Sequence, residues 1–250
     1  MTTKKFQISI DTGGTFTDSI IYEKKLGILS GKSLTNPENA FLSVKEATMS
    51  ALQNHKISFD ELIKNTEIFI YGTTRSTNAV ITNKTAKTAL ITTKGFKDTL
   101  ILKEGGKQKA HDFSEKFPSP LIPKKLTFEI DERISSEGKV IISMNENKAR
   151  EIIKKISSLG IEAISVSLLW SFINPVHELK IAKIISNIAP NLPFSLSHKL
   201  IPIIREYRRA STTSIDASLK PLMQKHLKEL KINLKNKGFK GQIFISTSTG

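Results

Sequence analysis

The chain of 250 residues contains no cysteine. This absence excludes disulfide bonds, thiol nucleophiles and cysteine-based zinc sites, so any catalysis must use oxygen or nitrogen groups. Long apolar runs are also missing. The longest candidate, "AISVSLLW" at 163–170, is far shorter than the roughly 18 residues of a membrane span and predicts a buried strand. The start, "MTTKKFQISIDTGG", has too small an apolar patch for a signal peptide, so we expect a cytoplasmic protein without membrane contact.

Acidic residues are outnumbered by basic ones, which gives a formal net charge of +15. Such an excess can mark nucleic-acid binding. Here the excess is nearly all lysine scattered along predicted polar helix faces, and the sequence has no zinc finger, no RNP-like aromatic motif and no long basic tail. We therefore favour a lysine-rich, solvated surface and predict no nucleic-acid partner.

Strand and helix patterns alternate along the chain, which predicts an α/β protein of one large or two modest domains. A Gly-, Pro- and Lys-rich segment at 103–125 predicts a loop or boundary between two regions. Asn36-Pro37 and Asn174-Pro175 predict helix starts, Asn145 predicts a helix cap, and Leu219 opens a long helix pattern. The predicted strands are residues 6–10, residues 19–22, "EIFIYG", "TALITTKG", "LTFEIDERI", "KVIISM", "EAISVSLLW" and "QIFIS".

The first two predicted strands are joined by a turn that contains Asp11, Gly13 and Gly14. Glycines let the backbone approach a phosphate closely, and the hydroxyls of nearby threonines add further donors. Asp11, at the end of a buried strand, offers the hard oxygen that Mg²⁺ prefers, reached through water. The residues alone also fit an ordinary hairpin whose glycines serve only the turn. A P-loop and a dinucleotide fingerprint both fit worse, because a strand rather than a helix follows.

A second candidate site is "GTTRSTNAV", which follows a predicted strand and opens a predicted helix. The backbone amides and hydroxyls of Gly72, Thr73 and Thr74 could meet an anion or a carbonyl group. The alternative role is helix capping, and Asn78 is a weaker candidate that fits a helix-surface residue.

Charged residues in the second half of the chain have mainly structural interpretations. His177 and Glu178 lie in a predicted first helical turn, where Glu178 complements the helix dipole. Glu206, Arg208 and Arg209 fit either a clamp for substrate or another domain, or a surface ion-pair network.

The octapeptide "DTGGTFTD" resembles the first phosphate-binding hairpin of the actin, sugar kinase and Hsp70-like ATPases, and its extended form resembles the hydantoinase A/5-oxoprolinase family. Further similarity follows in order in "YGTTRSTNAV", "LITTKGFKD", "DERISSEGKV", "SLLWSFINPVHE" and "EYRRASTTSIDASLKP". The resemblance implies ATP and Mg²⁺ as cofactors, with Asp11 on the metal. The nucleotide-binding residues that it implies are Asp11, Thr12, Gly13, Gly14, Thr15, Thr17 and Asp18.

The resemblance also implies an architecture and a reaction. The expected fold is α/β, with a ribonuclease-H-like (actin-like ATPase) lobe at 1–110, a further α/β region at 111–195, and the start of the main hydantoinase A domain at 196–250. The implied reaction is the ATP-dependent opening of a cyclic amide such as 5-oxoproline or a hydantoin. Alternatives are a subunit of an ATP-dependent ketone carboxylase and a non-catalytic nucleotide-binding fragment. The implied partners are the remainder of a longer chain and a hydantoinase B-like subunit.

The chain departs from the family pattern at several positions. Tyr71 stands where the family usually has His before G-T-T, "TNKTA" replaces an Arg-Gly element, and "LKEGGKQ" replaces arginines expected after "GFKD". The two-lobed ATPases carry a second Asp-Gly-Gly hairpin beyond the point that corresponds to "FISTSTG", so we expect a longer protein or a partner chain to supply it. The identity of the substrate therefore stays open from sequence.

Overall fold

The structure, a computed structural model, describes residues 5–247 apart from 106–111, 113 and 115–118. It is a mixed α/β fold, as expected. The strands are β1 (Phe6–Thr12), β2 (Phe16–Glu23), β3 (Gly27–Leu34), β4 (Thr66–Thr73), β5 (Thr88–Thr93), β6 (Thr127–Ile130), β7 (Arg133–Ile134), β8 (Val140–Ile142), β9 (Ala163–Ser167), β10 (Phe194–Leu196) and β11 (Gln242–Ile245). The helices are α1 (Ala40–Ala51), α2 (Phe59–Lys64), α3 (Arg75–Ile81), α4 (Thr99–Leu102), α5 (Glu146–Ser158), α6 (Val176–Ile188), α7 (Ser197–Leu200) and α8 (Glu206–Asn236), with a 3-10 helix at Lys124–Leu126.

The chain forms two compact units. Unit 1 comprises Met1–Lys84 and Met223–Gly250, and unit 2 comprises Thr85–Leu222. These borders differ from the expected divisions near 110 and 195. The reason is strand pairing: β5 pairs with β6 and β9 in unit 2, whereas β11 pairs with β4 in unit 1.

Unit 1 contains a five-stranded sheet in the order β11-β4-β1-β2-β3. The pairs β1–β2 and β2–β3 are antiparallel, while β4 runs parallel to β1 and β11 runs parallel to β4. Three antiparallel strands followed by two parallel ones give the expected ribonuclease-H-like arrangement. The pattern analysis missed β3, because its two glycines, two serines and lysine give a weak strand signal.

One face of this sheet is covered by α1, α2 and α8. The shared core includes Ile8, Ile10, Ile21, Val44, Leu52, Leu62, Ile63, Phe69, Leu230 and Leu234. Helix α1 lies against β3 at Gly31, where an added Cβ would come within 2.2 Å of the Ala51 amide nitrogen. Only glycine permits this approach.

The start of α1 differs from the expectation. Asn39, not Asn36, caps the helix, because the Asn39 Oδ1 accepts a hydrogen bond from the Leu42 amide at 3.1 Å. Asn36 instead forms a turn, its Oδ1 accepting from the amides of Glu38 and Asn39. The Asn-Pro pair therefore marks the loop before the helix.

Unit 2 contains a fully parallel sheet in the order β10-β9-β5-β6, which confirms the expected parallel α/β region. Asn145 caps α5 as predicted, accepting from the Lys148 amide at 3.1 Å. The segment "LTFEIDERI" is not one strand: β6 ends at Ile130, and β7 pairs with β8 in a separate two-stranded sheet. The core is built mainly from Ala89, Ile91, Ile130, Ile153, Ile156, Ile164, Val166, Ile181, Ile184 and Ile185.

Two other expectations concern longer segments. The long helix begins at Glu206 and not at Leu219. The Ser and Thr residues of its first part give a weak helix signal in sequence, and in the structure the Thr213 hydroxyl is buried and donates to the Arg209 carbonyl. About half of the predicted loop at 103–125 lies outside the described residues, and the described part holds turns and the beginning of the 3-10 helix at Lys124–Leu126. Within the described part of the chain, no helix has the length and apolarity needed to cross a membrane.

Candidate functional site

The two candidate segments of the sequence meet at the carboxyl ends of β1 and β4. In the parallel register, Asp11 lies opposite Gly72 and Thr12 lies opposite Thr73. The Asp11 carboxylate is so close that its Oδ1 would be 3.4 Å from a Cβ placed on Gly72. The Thr74 amide donates to the Thr12 carbonyl at 3.1 Å. Residues separated by about sixty positions in sequence therefore form one edge.

The glycine turn between β1 and β2 faces helix α3. The Gly13 amide donates to the Phe16 carbonyl at 2.9 Å, which closes the turn and leaves Gly14 and Thr15 exposed at its tip. A Cβ on Gly14 would lie 3.0 Å from the Nδ2 of Asn78. Asn78 is exposed, as expected for a helix-surface residue, but its side chain borders the turn and donates to the Thr74 hydroxyl at 3.3 Å.

The remaining hairpin side chains do not all converge on this edge. Thr17 is fully buried, and its Oγ1 lies 2.9 Å from the Oγ1 of Thr35. Asp18 is opposite Asp11 in the antiparallel register and forms an ion pair with Lys32 at 2.8 Å. Because side chains alternate along a strand, Asp11 and Asp18 share one face of the sheet, and Thr12 and Thr17 share the other.

The polar groups at this edge could bind an anion together with a cation. The cation would take most of its ligands from water and from the anion, because the edge itself offers few. Asp11 is exposed, whereas Thr12 is buried on the opposite face, where its hydroxyl lies near that of Tyr71. No cluster of three or more His, Cys, Asp or Glu that could hold a metal occurs in the described part of the chain. A magnesium ion here would rely on Asp11, waters and ligand phosphates, the kind of coordination that Mg²⁺ favours.

A buried pair lies on the covered side of the same strands. The Tyr71 hydroxyl and the Nε2 of His226 are 2.9 Å apart, and both residues are buried. Burial raises the pKa of Tyr71 and lowers the pKa of His226 below its ordinary value. Arg75 also contributes to the low pKa of His226, and its own Nε is buried without a hydrogen-bond partner among the described residues. Sequence reasoning missed His226, because nothing in the long helix signals a partner 155 positions away.

Ser246, just after β11, is another residue that sequence reasoning missed. Its amide donates to the Tyr71 carbonyl at 2.9 Å, and its Cβ would lie 3.8 Å from a Cβ on Gly72. The carboxyl ends of three neighbouring parallel strands therefore contribute to the edge.

In unit 2, the singled-out charged residues have structural partners. The Glu178 carboxylate is fully buried and accepts hydrogen bonds from Ser197, His198 and the Leu168 amide. These contacts, rather than the helix dipole alone, explain its position. His177 lies 2.7 Å from the buried Glu132 carboxylate.

The adjacent arginines have different environments. Arg209 is buried beside the Glu178 carboxylate, 3.9 Å from its Oε1. Arg208 instead forms an exposed ion pair with Glu104. Of the two interpretations of these arginines, the surface pair therefore describes Arg208 and not Arg209.

Comparison with known proteins identifies the family to which the chain is related. Residues 7–189 match the hydantoinase/oxoprolinase N-terminal region. An uncharacterised protein of Methanocaldococcus jannaschii is 36% identical over 98% of this chain and 35% of its own length. The caprolactamase subunit alpha of Pseudomonas jessenii is 28% identical over 92% of this chain and 33% of its own length.

Enzymes of two kinds occur among the relatives. The acetophenone carboxylase gamma subunit of Aromatoleum aromaticum is 29% identical over 97% of this chain and 35% of its own length. The 5-oxoprolinase of Saccharomyces cerevisiae is 28% identical over 91% of this chain and 20% of its own length. The crystal structure of the ATP-dependent caprolactamase from P. jessenii matches 96% of this chain and 35% of its own with a TM-score of 0.86 at 27% identity. The chain thus spans about a third or less of the length of these relatives. It belongs to the hydantoinase/oxoprolinase family, as its N-terminal region.

Proposed function

We propose that unit 1 binds the phosphates of Mg·ATP at the carboxyl edge of β1 and β4. The observation that supports this most strongly is the position of the Asp11 carboxylate over Gly72, beside a glycine turn whose tip is exposed. Asp11 would hold Mg²⁺, partly through water, and the ion would neutralise phosphate charge. The sequence resemblance and an ATP-dependent relative agree with this assignment.

The proposed contacts fall into two groups. The exposed residues Gly14 and Thr15 would meet one side of the phosphates, and Gly72, Thr73 and Thr74 the other. Thr12, whose hydroxyl is buried on the face opposite Asp11, would support the turn from within. The burial of Thr17 and the pairing of Asp18 with Lys32 indicate supporting roles, in which they hold the hairpin rather than the ligand. Asn78 would limit the width of the site on the side of Gly14.

The reaction that we propose for the assembled enzyme is the ATP-dependent opening of a cyclic amide. An amide is a poor electrophile, and transfer of the γ-phosphoryl group of ATP to its oxygen, with release of ADP, activates the ring carbon. Water then adds to that carbon, the ring C–N bond breaks as the nitrogen takes up a proton, and hydrolysis of the resulting acyl phosphate releases phosphate and leaves a carboxylate and an amine. The residues at the edge would position and neutralise charge, which is the main task of a protein in phosphoryl transfer. Caprolactamase and 5-oxoprolinase among the relatives favour this substrate class.

Two other functions remain candidates. A ketone carboxylase subunit is supported by the acetophenone carboxylase relative. A non-catalytic nucleotide-binding role is the other candidate. In either enzymatic case we propose that a longer polypeptide and a hydantoinase B-like subunit complete the active site. The cytoplasmic location stays a prediction.

The function is tested by offering the chain ATP with Mg²⁺ or with a chelator, and by following phosphate release with 5-oxoproline, hydantoins and ketones separately. We expect magnesium-dependent ATP binding but no substrate-stimulated ATP hydrolysis by the 250-residue chain. Hydrogen-bond donors on only one side of the phosphates would leave the transferred γ-phosphoryl group solvated and poorly oriented. Absence of nucleotide binding at millimolar ATP would refute the proposal. Turnover by the chain alone would refute the need for a larger assembly, and stimulation only by ketones would favour the carboxylase alternative.

A further inference from the structure

Unit 2 contains a cavity of about 490 Å³ that takes no part in the proposed nucleotide site. One wall is formed by residues 95–104, which follow β5, and the other by residues 205–207 at the beginning of α8. Cavities that bind small molecules commonly have volumes of about 300–1,000 Å³. The cavity therefore has room for a small organic molecule.

The cavity lies at the end of the sheet where parallel α/β proteins bind their ligands. β5 ends at Thr93, and the lining begins shortly after it, at Gly95. After β5 the chain continues to β6 at one edge of the sheet, whereas after β9 it continues to β10 at the other edge. In open parallel sheets, ligands bind outside the carboxyl ends of the strands beside such a reversal. The location therefore favours a binding site over an accidental gap.

The two walls are held together by contacts of their own. The Arg208 guanidinium of α8 donates to both carboxylate oxygens of Glu104, at 3.1 and 3.2 Å. Leu100 of α4 packs in one apolar cluster with Tyr207 and Ala210 of α8. The cavity is therefore formed before any ligand binds, which lowers the entropic cost of binding.

Two of the three acidic residues in the lining already have a cationic partner. Asp98 forms an ion pair with Lys124 at 2.7 Å. Glu104 forms the ion pair with Arg208 that joins the two walls. The charges of these two carboxylates are therefore compensated, and they would not repel an anion in the cavity.

The two basic residues of the lining have no such partner. No carboxylate in the described part of the chain forms an ion pair with the Lys103 ammonium group or the Arg205 guanidinium. The third acid, Glu206, is half-buried, and it also stabilises the charge of the buried Arg209. The cavity therefore keeps two uncompensated cations against one acid, a balance that favours an anion of single charge over one of double charge.

The backbone holds both basic residues in a conformation that residues with side chains rarely adopt. The φ angles of Lys103 and Arg205 are 54° and 91°, in the left-handed region. Two other non-glycine residues of the described chain have a positive φ, Asn83 and Trp170, and neither lines the cavity. Strained residues of this kind are concentrated at ligand-binding sites. The strain therefore indicates a role for these two side chains beyond surface charge.

We propose that this cavity binds a small organic carboxylate with an apolar body. Lys103 and Arg205 would bind the carboxylate. The apolar body would contact the half-buried rings of Phe96 and Tyr207 and the side chain of Leu102. The inference goes beyond the proposed function, which places no ligand in unit 2. Because Lys103 belongs to "LKEGGKQ", the segment that departs from the family pattern, we expect the ligand preference to be particular to this chain.

Matched probes isolate the contribution of the carboxylate. Benzoate and benzamide share a ring and differ in charge, and 5-oxoproline carries a carboxylate that 2-pyrrolidinone lacks. Each probe is titrated into the isotope-labelled 250-residue chain, and binding is followed by the chemical shifts of the backbone amides. We expect saturable shifts at Gly95, Phe96 and Lys103 with at least one of the two carboxylates. The uncharged counterpart of that carboxylate should bind at least about tenfold more weakly.

Substitutions in the lining test the two cations. Arg205→Gln removes the positive charge, and Arg150→Gln on α5 is a matched control at an exposed arginine of the same unit. Arg205→Gln should weaken carboxylate binding at least about tenfold, while Arg150→Gln should leave it unchanged. Should Arg205→Gln alter unfolding in urea, Lys103→Gln carries the same test. Equal affinity of the parent chain and both lining variants would overturn the proposal.

Other results would also overturn the proposal. They are an absence of saturable shifts with both carboxylates at tens of millimolar, shifts confined to residues away from the cavity, and uncharged probes that bind as tightly as the carboxylates. Tighter binding of phenyl phosphate than of benzoate would overturn it in favour of a phosphate ester. Titration of Mg·ATP is a separate measurement: carboxylate binding without nucleotide binding would support the cavity and refute the nucleotide site, and the reverse would refute the cavity.

Discussion

Replacing Glu178 by glutamine should strongly destabilise unit 2. The buried carboxylate accepts from the Leu168 amide at 3.0 Å, from the hydroxyls of Ser171 and Ser197 at 2.9 and 2.6 Å, and from the amide and Nδ1 of His198 at 3.1 and 2.6 Å. A glutamine side chain has only one acceptor oxygen, so its amino group would face donors.

The charge at this position matters as much as the hydrogen bonds. Arg209 is 1% exposed, and its guanidinium lies 3.9 Å from the Glu178 carboxylate. The variant would leave this cation buried without its nearest counter-ion, and breaking a buried ion pair costs about 3–5 kcal/mol. In a chain of this size, such a loss lowers Tm by about 10 °C.

The assay is urea unfolding followed by the fluorescence of Trp170, the single tryptophan, which lies in the loop between Leu168 and Ser171. The control is Glu146→Gln on α5, where an exposed carboxylate pairs with Arg150 and Lys180 and a loss within about 1 kcal/mol is expected. Equal midpoints for the two variants would refute the reasoning from burial.

Lowering the pH should destabilise unit 2 by protonating the same carboxylate, that of Glu178. Burial alone would raise the pKa of Glu178, but the hydrogen bonds from His198, Ser197 and the backbone outweigh burial and hold the pKa below its ordinary value. A carboxyl group whose pKa is lower in the folded chain stabilises the fold above its unfolded pKa. This stabilisation should be lost as pH falls through the folded pKa, and the glutamine variant should show a smaller loss over the same range.

Other predictions concern unit 1 and the surface charge. Gly31→Val should lower the free energy of unfolding by about 1–3 kcal/mol, because the Cβ of the new side chain would overlap the backbone of α1 at Ala51. The control is Ser30→Val, at an exposed position of the same strand, which should change the free energy of unfolding little. Similar urea midpoints for the two variants would contradict the close packing of α1 on Gly31. The pKa of His226 is lowered by burial, so unfolding should become easier as pH falls below about 6.5, and His226→Gln should flatten that dependence; an unchanged pH profile would count against the assignment. Binding to DNA should be weak and lost between about 50 and 200 mM salt, and tight sequence-selective binding at physiological salt would contradict a lysine surface that is only solvated.

Much of the fold could be predicted where a local pattern decides the structure. Alternating apolar residues indicated β1 and β2, and Asn145 indicated the start of α5 through its short-range hydrogen bond to the Lys148 amide. The start of α1 was wrong by three residues, because Asn36 and Asn39 are both good turn and cap formers and only the final geometry distinguishes them.

The candidate site was predictable in its parts but not in its assembly. Asp11 and Gly72 each stood out in sequence, yet their contact depends on the parallel pairing of β1 with β4. The partners Tyr71 and His226 could not be paired by any local signal, since they meet only when a distant helix packs on the sheet. The buried acceptors of unit 2 were hidden for the same reason: Glu178 looks like an ordinary first-turn acid until residues from three other segments surround it.

The central claim is that the carboxyl edge of β1 and β4 is a Mg·ATP site with Asp11 on the metal. Calorimetric titration of ATP into the parent chain, Asp11→Asn and Asp60→Asn, each with Mg²⁺ and with a chelator, tests it most directly. Asp60 is a matched control in unit 1, an exposed carboxylate that pairs with Lys237 far along the chain. We predict that only Asp11→Asn loses the magnesium-dependent part of the affinity, with unfolding unchanged in urea. Equal magnesium-dependent affinity for all three proteins would contradict the account.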